Sequence, residues 1–104
     1  MTATIKQVDL IRNLSESYLY HKRQLREDEL GIRSRPYCAL EGARMIVSRT
    51  EYACACLNES DRFIIQNEVI LGKRGDWYQG LLSSATYYRH RKTAYSNFIR
   101  RLSE

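Results

Sequence analysis

Proline and glycine, the two residues that most often interrupt helices, are scarce in this sequence. It has one proline and five glycines among 104 residues, so a helix can continue for a long way without a break. The stretch from Ile5 to Leu30 has neither, and Gly31 follows it where helices commonly end on a left-handed residue. Apolar residues make up 43% and charged residues 28% of the chain, which argues against disorder. We therefore expect an all-α fold of four to five helices.

Several features that would define other classes of protein are also missing. Three cysteines cannot all pair, and their spacing fits no disulfide framework, so we expect reduced thiols in a cytoplasmic protein. The polar N-terminus has no apolar signal-peptide segment, and the apolar runs 63–65 and 69–71 are far too short to cross a membrane. No glycine-rich phosphate loop, Ser/His/Asp constellation or metal-ligand spacing is present. We expect no enzymatic activity, no metal and no other cofactor.

Acidic residues are almost absent from the last fifth of the chain. Residues 85–104 contain five Lys or Arg and one Asp or Glu, which gives an excess of +4 out of a net charge of +5. A localised excess indicates a polyanionic partner better than a uniform one, because it concentrates the field on one surface. The charge pattern therefore favours a nucleic-acid surface near the C-terminus.

The first part of the single domain, 1–104, is predicted to be a hairpin of two helices within residues 1–57. The apolar residues keep helical spacing, and Thr4 with Gln7 forms a capping-box pattern at the start. At about 1.5 Å per residue the first helix would be roughly 39 Å long, more than a compact domain needs. We expect its charged end to project, to break or to pack on a second copy.

The second part, residues 58–104, is predicted to form a helix-turn-helix. Asn58 is placed to cap an apolar helix. After a glycine-containing loop, Asp76 would cap a short helix over residues 77–82, and residues 83–84 would form the turn before a long last helix. The fold expected for the whole chain is therefore all-α, with a C-terminal helix-turn-helix.

The last helix has two different faces when its residues are placed 100° apart. One face is apolar, with Tyr87, Ala94 and Phe98, and the aliphatic stem of Arg91 belongs to it. The opposite face is basic and hydroxylated and carries no acid, so it could lie in a major groove, with Arg89 paired to a guanine. The predicted DNA-binding residues are Ser84, Thr86, Tyr88, Arg89, Lys92 and Thr93.

An ordinary solvated helix is the simpler alternative for these basic residues. Cations in a last turn complement the helix dipole, which accounts for Arg100 and Arg101. It does not account for Arg89, Arg91 or Lys92, because they lie early in the helix, where the dipole disfavours cations. We therefore favour the nucleic-acid interpretation for the early residues only.

The last helices resemble region 4 of sigma-70 factors over residues 57–102. Leu57 and Arg62 match the Leu-x-x-x-x-Arg opening of the family's first helix, and Tyr87 and Ala94 keep the seven-residue spacing of its recognition helix. The Ser-x-Thr-Tyr-Tyr-Arg pattern is also similar to ArpU-type phage transcriptional regulators, and to small proteins of Mollicutes and Firmicutes with a Ser-Thr-Tyr-Tyr-Arg motif. The resemblance implies sequence-specific DNA binding in transcriptional control.

Two positions depart from the pattern of the sigma-70 family. The family's turn usually contains a glycine, whereas residues 82–84 contain none. Trp77 or Tyr78 stands where the family has a small residue. We expect Trp77 to be a core residue that packs against Phe63 or Tyr87, and its bulk bears on the angle between the two helices.

We expect a cytoplasmic DNA-binding transcriptional regulator whose partner is double-stranded DNA. The helices within residues 1–57 would form a homodimer or dock on another protein. One alternative is a protein-interaction module, in which a degenerate helix-turn-helix docks on RNA polymerase or another transcription factor without binding DNA. Another is RNA binding, because tyrosines beside arginines also suit single strands.

Overall fold

The computed structural model describes residues 4–104, which form four helices and no strand. The helices are α1 (Ile5–Glu29), α2 (Tyr37–Ala55), α3 (Glu59–Ile65) and α4 (Ser84–Leu102). A π-helical turn, Gln66–Ile70, continues α3. The prediction of an all-α fold is confirmed. Residues 1–3, where the polar N-terminal segment begins, lie outside the described residues, and within 4–104 no helix is long and apolar enough to cross a membrane.

The helix ends follow local signals in the sequence. The Thr4 hydroxyl accepts from the Gln7 backbone N–H at 3.1 Å and the Gln7 side chain accepts from the Thr4 backbone N–H at 3.1 Å, so the predicted capping box is confirmed. Such a box satisfies two donors that the first turn leaves unpaired. Gly31 follows the end of α1 with a φ of +72°, and the Asn58 side chain caps α3 through the N–H of Asp61 at 2.9 Å.

Helices α1 and α2 lie side by side and are joined by residues 30–36. The Glu51 carboxylate on α2 accepts from the Tyr18 hydroxyl at 2.6 Å and from the Lys22 ammonium at 3.0 Å. Nearer the connection, Arg33 pairs with Glu27 at 3.7 Å. The charged end of α1 therefore continues without a break to Glu29, and the contact of Lys22 with Glu51 holds its first part against α2.

The hydrophobic core lies where α1, the end of α2, α3 and α4 meet. Phe98, Ile65 and Val69 are 0% exposed, and each such side chain stabilises the fold by about 1.5–3 kcal/mol through burial. Ala53 and Ala94 are also buried, and their small side chains let the helices approach closely. The core therefore fixes the second half of α4 against α3 and α2.

The segment before α4 differs from the prediction. Residues 77–82, expected to be a short helix capped by Asp76, form consecutive turns, so that prediction is wrong. The backbone N–H groups of Leu81 and Leu82 both donate to the carbonyl of Tyr78. Gly80, which lies between Tyr78 and Leu81, has a φ of +83°. This is a left-handed value that a right-handed helix cannot include. The turns thus form around an inward-facing Tyr78, which is 3% exposed.

Candidate nucleic-acid interface

Helix α4 begins with a hydroxyl network that orders its first turn. The Ser83 hydroxyl accepts from the backbone N–H of Thr86 at 3.2 Å and donates to the Thr86 hydroxyl at 2.8 Å. Ser84, the first helical residue, is exposed. The backbone N–H groups and hydroxyls at this end form the kind of environment that favours an anion, because the helix dipole adds a positive partial charge there.

The outer face of α4 is basic and exposed to solvent. We define it by Arg89, Lys92, Thr93, Ser96 and Arg100. Four of these residues are exposed and Lys92 is half-buried. Helix α4 itself contains no Asp or Glu. Three of the six residues predicted to bind DNA are therefore brought together on this face.

The edges of the outer face are formed by two other helices. On one edge, Asn58, Glu59 and Asp61 from the start of α3 line a shallow groove together with Arg89 and Thr93. Carboxylates from another helix thus border a face that is free of acids on α4. The sequence pattern could not reveal this, because the periodicity of one helix contains no information on its neighbours.

The other edge is formed by the start of α1. The Gln7 amide donates to the Ser96 hydroxyl at 3.1 Å, so the capping residue of α1 also contacts α4. At the far end of α4, Arg100 donates to the Asn97 side chain at 3.2 Å and Arg101 pairs with Glu104 at 3.4 Å. These local contacts agree with the expectation that the last two arginines serve the helix end.

Tyr88 lies on a different side of α4 from Arg89 and Thr93. Its ring meets that of Tyr87 edge to face at a centroid distance of 5.2 Å, and the Arg91 guanidinium carbon lies 5.0 Å from its centroid. Ser84, four residues earlier, shares this side because residues four apart lie above one another on a helix. Thr86, three residues before Arg89, lies on the side of the outer face. The six predicted residues therefore form two groups rather than one surface.

A buried carboxylate anchors the inner side of α4. Glu68 is 6% exposed, and its Oε1 accepts from the Tyr95 hydroxyl. Its Oε2 accepts from the Tyr87 hydroxyl and, at 3.0 Å, from the Trp77 indole N–H. Burying a carboxylate is costly unless its oxygens accept hydrogen bonds. Three neutral donors from two segments meet this requirement, and they link the turns before α4 to α4 itself.

The same cluster changes the acidity of its tyrosines. Burial, followed by the hydrogen bond to Glu68, raises the pKa of Tyr87 to about 12. Burial and the nearby Glu68 charge raise the pKa of Tyr95 further in the same direction. Both effects disfavour the phenolate, because it would be a second negative charge in a poorly solvated site. Both hydroxyls therefore remain hydrogen-bond donors at neutral pH.

The π-helical turn presents Glu68 to this cluster. Asn67, Glu68 and Val69 are all buried, and the wider turn aims the Glu68 side chain at α4. Sequence analysis did not single out Glu68. One signal was available, namely that Glu68 is the single charged residue in the stretch from Phe63 to Leu71. As expected, Trp77 packs against Phe63 and Tyr87, at ring-centroid distances of 5.7 Å and 5.8 Å, but its side chain is half-buried rather than part of the core.

A cavity of about 210 Å³ opens beside the Glu68 cluster. We call it the polar cavity, and its charged lining residues are Arg12, Lys73, Arg74, Arg91, Glu68 and Asp76. They come from α1, from the π-helical turn, from the segment before α4 and from α4. Because these segments are far apart in the chain, the cavity exists only in the folded protein.

The cysteines do not form a metal centre in the part of the chain that the structure describes. In residues 4–104 no three His, Cys, Asp or Glu side chains are placed to hold a metal ion. Cys54 is 3% exposed, its thiol donates to the Gln66 side chain at 3.7 Å, and burial raises its pKa. It is a core residue, whereas Cys38 is exposed.

Comparison with known proteins returns no relative of this chain: no protein-family model, curated protein or solved structure matches it.

Proposed function

We propose that this protein is a cytoplasmic DNA-binding transcriptional regulator that contacts double-stranded DNA through the outer face of α4. The observation that carries the proposal is that α4 has Arg89, Lys92 and Thr93 in its first half and contains no acidic residue. Cations near the start of a helix oppose its dipole. An external polyanion explains their position better than helix stability does.

The contacts follow from the shape of the helix. Helix α4 has 19 residues and is about 28 Å long. The major groove of DNA is wide enough to admit an α-helix. The Arg89 guanidinium would pair with the O6 and N7 atoms of a guanine, while Lys92 and Thr93 would contact phosphate or a base edge. The hydroxyls of Ser84 and Thr86 lie at the helix start, where backbone N–H groups favour a phosphate.

The packing of α3 on α4 supports this use of the helix. The Asn97 amide on α4 donates to the Asp61 carboxylate on α3 at 2.7 Å, and Phe98 is fully buried between the helices. The connection from α3 to α4 consists of the π-helical turn followed by residues 71–83. It is longer than the turn of about three or four residues in a typical helix-turn-helix. The angle of α4 is therefore set by side-chain packing, which keeps the recognition surface rigid before binding.

Selection of bound sequences from a random duplex library, followed by fluorescence anisotropy on the enriched sequence, tests the proposal. Arg89→Ala is expected to cost about 1–3 kcal/mol of binding free energy and to relax the preference at one base pair. Lys92→Ala is expected to weaken binding to all DNA sequences alike. It should also reduce by about one the slope of the logarithm of the binding constant against the logarithm of the salt concentration. Arg23→Ala, which removes an exposed arginine from α1, is the charge-matched control and should leave the preference unchanged.

Two outcomes would contradict this assignment. One is the absence of any enriched sequence. The other is an affinity that Arg89→Ala and Lys92→Ala leave unchanged at two salt concentrations. An enriched palindrome would in addition indicate a dimer, because half-site symmetry mirrors protein symmetry.

A protein-interaction module is the second candidate function, and the tip of the α1–α2 pair favours it. Leu30 and Ile32 are each 65% exposed and Tyr37 is 74% exposed. An apolar group of this kind suits docking on RNA polymerase, on another transcription factor or on a second copy of this chain. Partner capture that survives nuclease treatment and is lost in Ile32→Ser, together with no salt-dependent DNA affinity, would favour this function over DNA binding.

A further inference from the structure

The polar cavity concentrates positive charge. Arg12, Lys73, Arg74 and Arg91 line it, against the two carboxylates of Glu68 and Asp76, so cations exceed carboxylates by two. A cavity with low-dielectric walls focuses such a charge and attracts an ion of opposite sign.

Arg91 is held in place by aromatic rings rather than by a carboxylate. Its guanidinium carbon lies 5.7 Å from the ring centroid of Tyr87, 5.0 Å from that of Tyr88 and 5.5 Å from that of Tyr95. Cation–π contacts at these distances help to orient the guanidinium, which is also hydrogen-bonded to the Tyr87 hydroxyl. The Nε atom of Arg91 is buried and has no hydrogen-bond partner. A buried donor without a partner is unfavourable, and a ligand that accepts from it would relieve that cost.

A second arginine is also pre-positioned at the cavity. Arg74 donates through its Nη1 to the carbonyl of Glu68 at 3.0 Å and to its neighbour Lys73's carbonyl at 3.1 Å. These bonds restrict the side chain and leave the other guanidinium donors available. Arg12 on α1 is exposed and lines the same cavity. Three guanidinium groups from three segments thus surround one small space.

The Glu68 carboxylate is already occupied by its neighbours. The Trp77 indole and the hydroxyls of Tyr87 and Tyr95 donate to its oxygens. These neutral donors already occupy both oxygens of Glu68 within the fold, and the Arg91 charge also interacts with this carboxylate. The guanidinium groups around the cavity therefore remain suited to an incoming anion.

We propose that the polar cavity binds a small phosphate monoester. A phosphate monoester carries a charge of about −1.5 to −2 at pH 7, which matches the excess of two cations. Its oxygens suit the paired N–H donors of arginine. The rings of Trp77 and Tyr88 line the same cavity and would contact the organic part. The volume of about 210 Å³ is below the roughly 300–1,000 Å³ of drug-sized pockets, so the ligand is small. This inference goes beyond DNA binding and uses residues outside the outer face.

Trp77 provides a direct measurement of ligand binding. It is the chain's only tryptophan, and it lines the cavity. Fluorescence of the intact protein should be recorded during titration with inorganic phosphate and with glycerol 3-phosphate, and with acetate and glycerol as controls, all at constant ionic strength. We expect a saturable change with both phosphates, with the tighter binding for the monoester, and no saturable change with acetate or glycerol.

Substitutions of the lining arginines test whether the change in Trp77 fluorescence comes from phosphate bound in the polar cavity. Arg12→Gln, at an exposed position, and Arg91→Gln should each weaken phosphate binding by about tenfold or more, because each removes a charge-assisted contact. Arg23→Gln, elsewhere on α1, is the matched control and should bind normally. Thermal melting monitors folding, and Arg12→Gln decides the test if Arg91→Gln proves unstable. A response that is equal for acetate, that does not saturate, or that Arg12→Gln leaves unchanged would overturn the proposal.

Discussion

Helix α4 presents one side to solvent and another to the polar cavity, and the two sides are built in different ways. The outer face consists of residues from one helix, and Arg89 and Thr93 on it are exposed. The inner side depends on Glu68, which joins α4 to the π-helical turn and to Trp77 through three hydrogen bonds. Arg89 and Thr93 are thus placed to contact a partner, whereas the residues around Glu68 hold the helix in place.

This difference separates binding from stability within one helix. Substitutions on the outer face should change affinity and leave folding intact, since exposed side chains contribute little to stability. Substitutions in the Glu68 cluster should change folding first, because they leave buried donors without partners. Substitutions on the outer face and in the Glu68 cluster can therefore be compared directly.

The largest effect is expected for Glu68→Ala. It leaves the buried donors of Trp77, Tyr87 and Tyr95 without their acceptor, at about 3–5 kcal/mol of the free energy of unfolding. Urea denaturation followed by circular dichroism measures the change. Arg89→Ala on the outer face is the control and should remain within about 0.5 kcal/mol of the original protein. If Glu68→Ala cost less than about 1 kcal/mol, the carboxylate would not be the anchor of α4.

A single hydrogen bond of the cluster should have a smaller effect. Tyr95→Phe removes the hydroxyl that donates to Glu68 Oε1 and keeps the ring, so we expect a loss of about 1–2 kcal/mol. Tyr37→Phe, at a position that is 74% exposed, should be close to neutral. The same urea experiment compares the two variants. Equal stabilities would mean that the Tyr95 hydroxyl makes no net contribution in the folded state.

Alkaline pH should destabilise the protein through the same cluster. The unfolded chain loses a tyrosine proton near pH 10, whereas Tyr87 in the folded chain retains its proton until about pH 12. The folded state therefore binds more protons in this interval, so stability is complete below pH 10 and falls as the pH rises towards 12. Tyr87 can lower the free energy of unfolding by at most about 1.4 kcal/mol for each pH unit in this interval.

Comparison of the original protein with Tyr87→Phe isolates this contribution. The difference in unfolding free energy between the two proteins should be constant below pH 10 and should shrink above it. Chemical denaturation at a series of pH values measures both. A difference that stays constant up to pH 12 would show that Tyr87 does not titrate differently on unfolding.

The sequence predicted the features that depend on local signals. The capping box of Thr4 and Gln7 and the cap at Asn58 were foreseen because each involves neighbours along the chain. The basic outer face was foreseen because helical periodicity places its residues. The position of Glu59 beside this face was not foreseen, because it depends on how α3 packs on α4.

The inner side of α4 could not be predicted in the same way. The Glu68 cluster requires a π-helical turn and the meeting of residues from two further segments, and no periodic pattern encodes either. The turns at 77–82 were missed for a related reason. The apolar and aromatic pattern there is compatible with a short helix, whereas the left-handed conformation of Gly80 and the inward packing of Tyr78 depend on the folded chain.

The smallest predicted effect concerns the border between α3 and the outer face. Glu59 is exposed and lines the groove next to Arg89, so its carboxylate should repel a DNA phosphate that approaches α4. Glu59→Gln keeps the shape and removes the charge, and we expect the affinity for the selected duplex to rise by about twofold to fivefold at low salt. Glu29→Gln, an equal change of charge at the far end of α1, should raise it less. Anisotropy titrations at two salt concentrations separate the two, because the local effect of Glu59 should exceed that of Glu29 at both. Equal gains for the two variants would show that only net charge matters, and DNA would then not lie along the edge that α3 and α4 share.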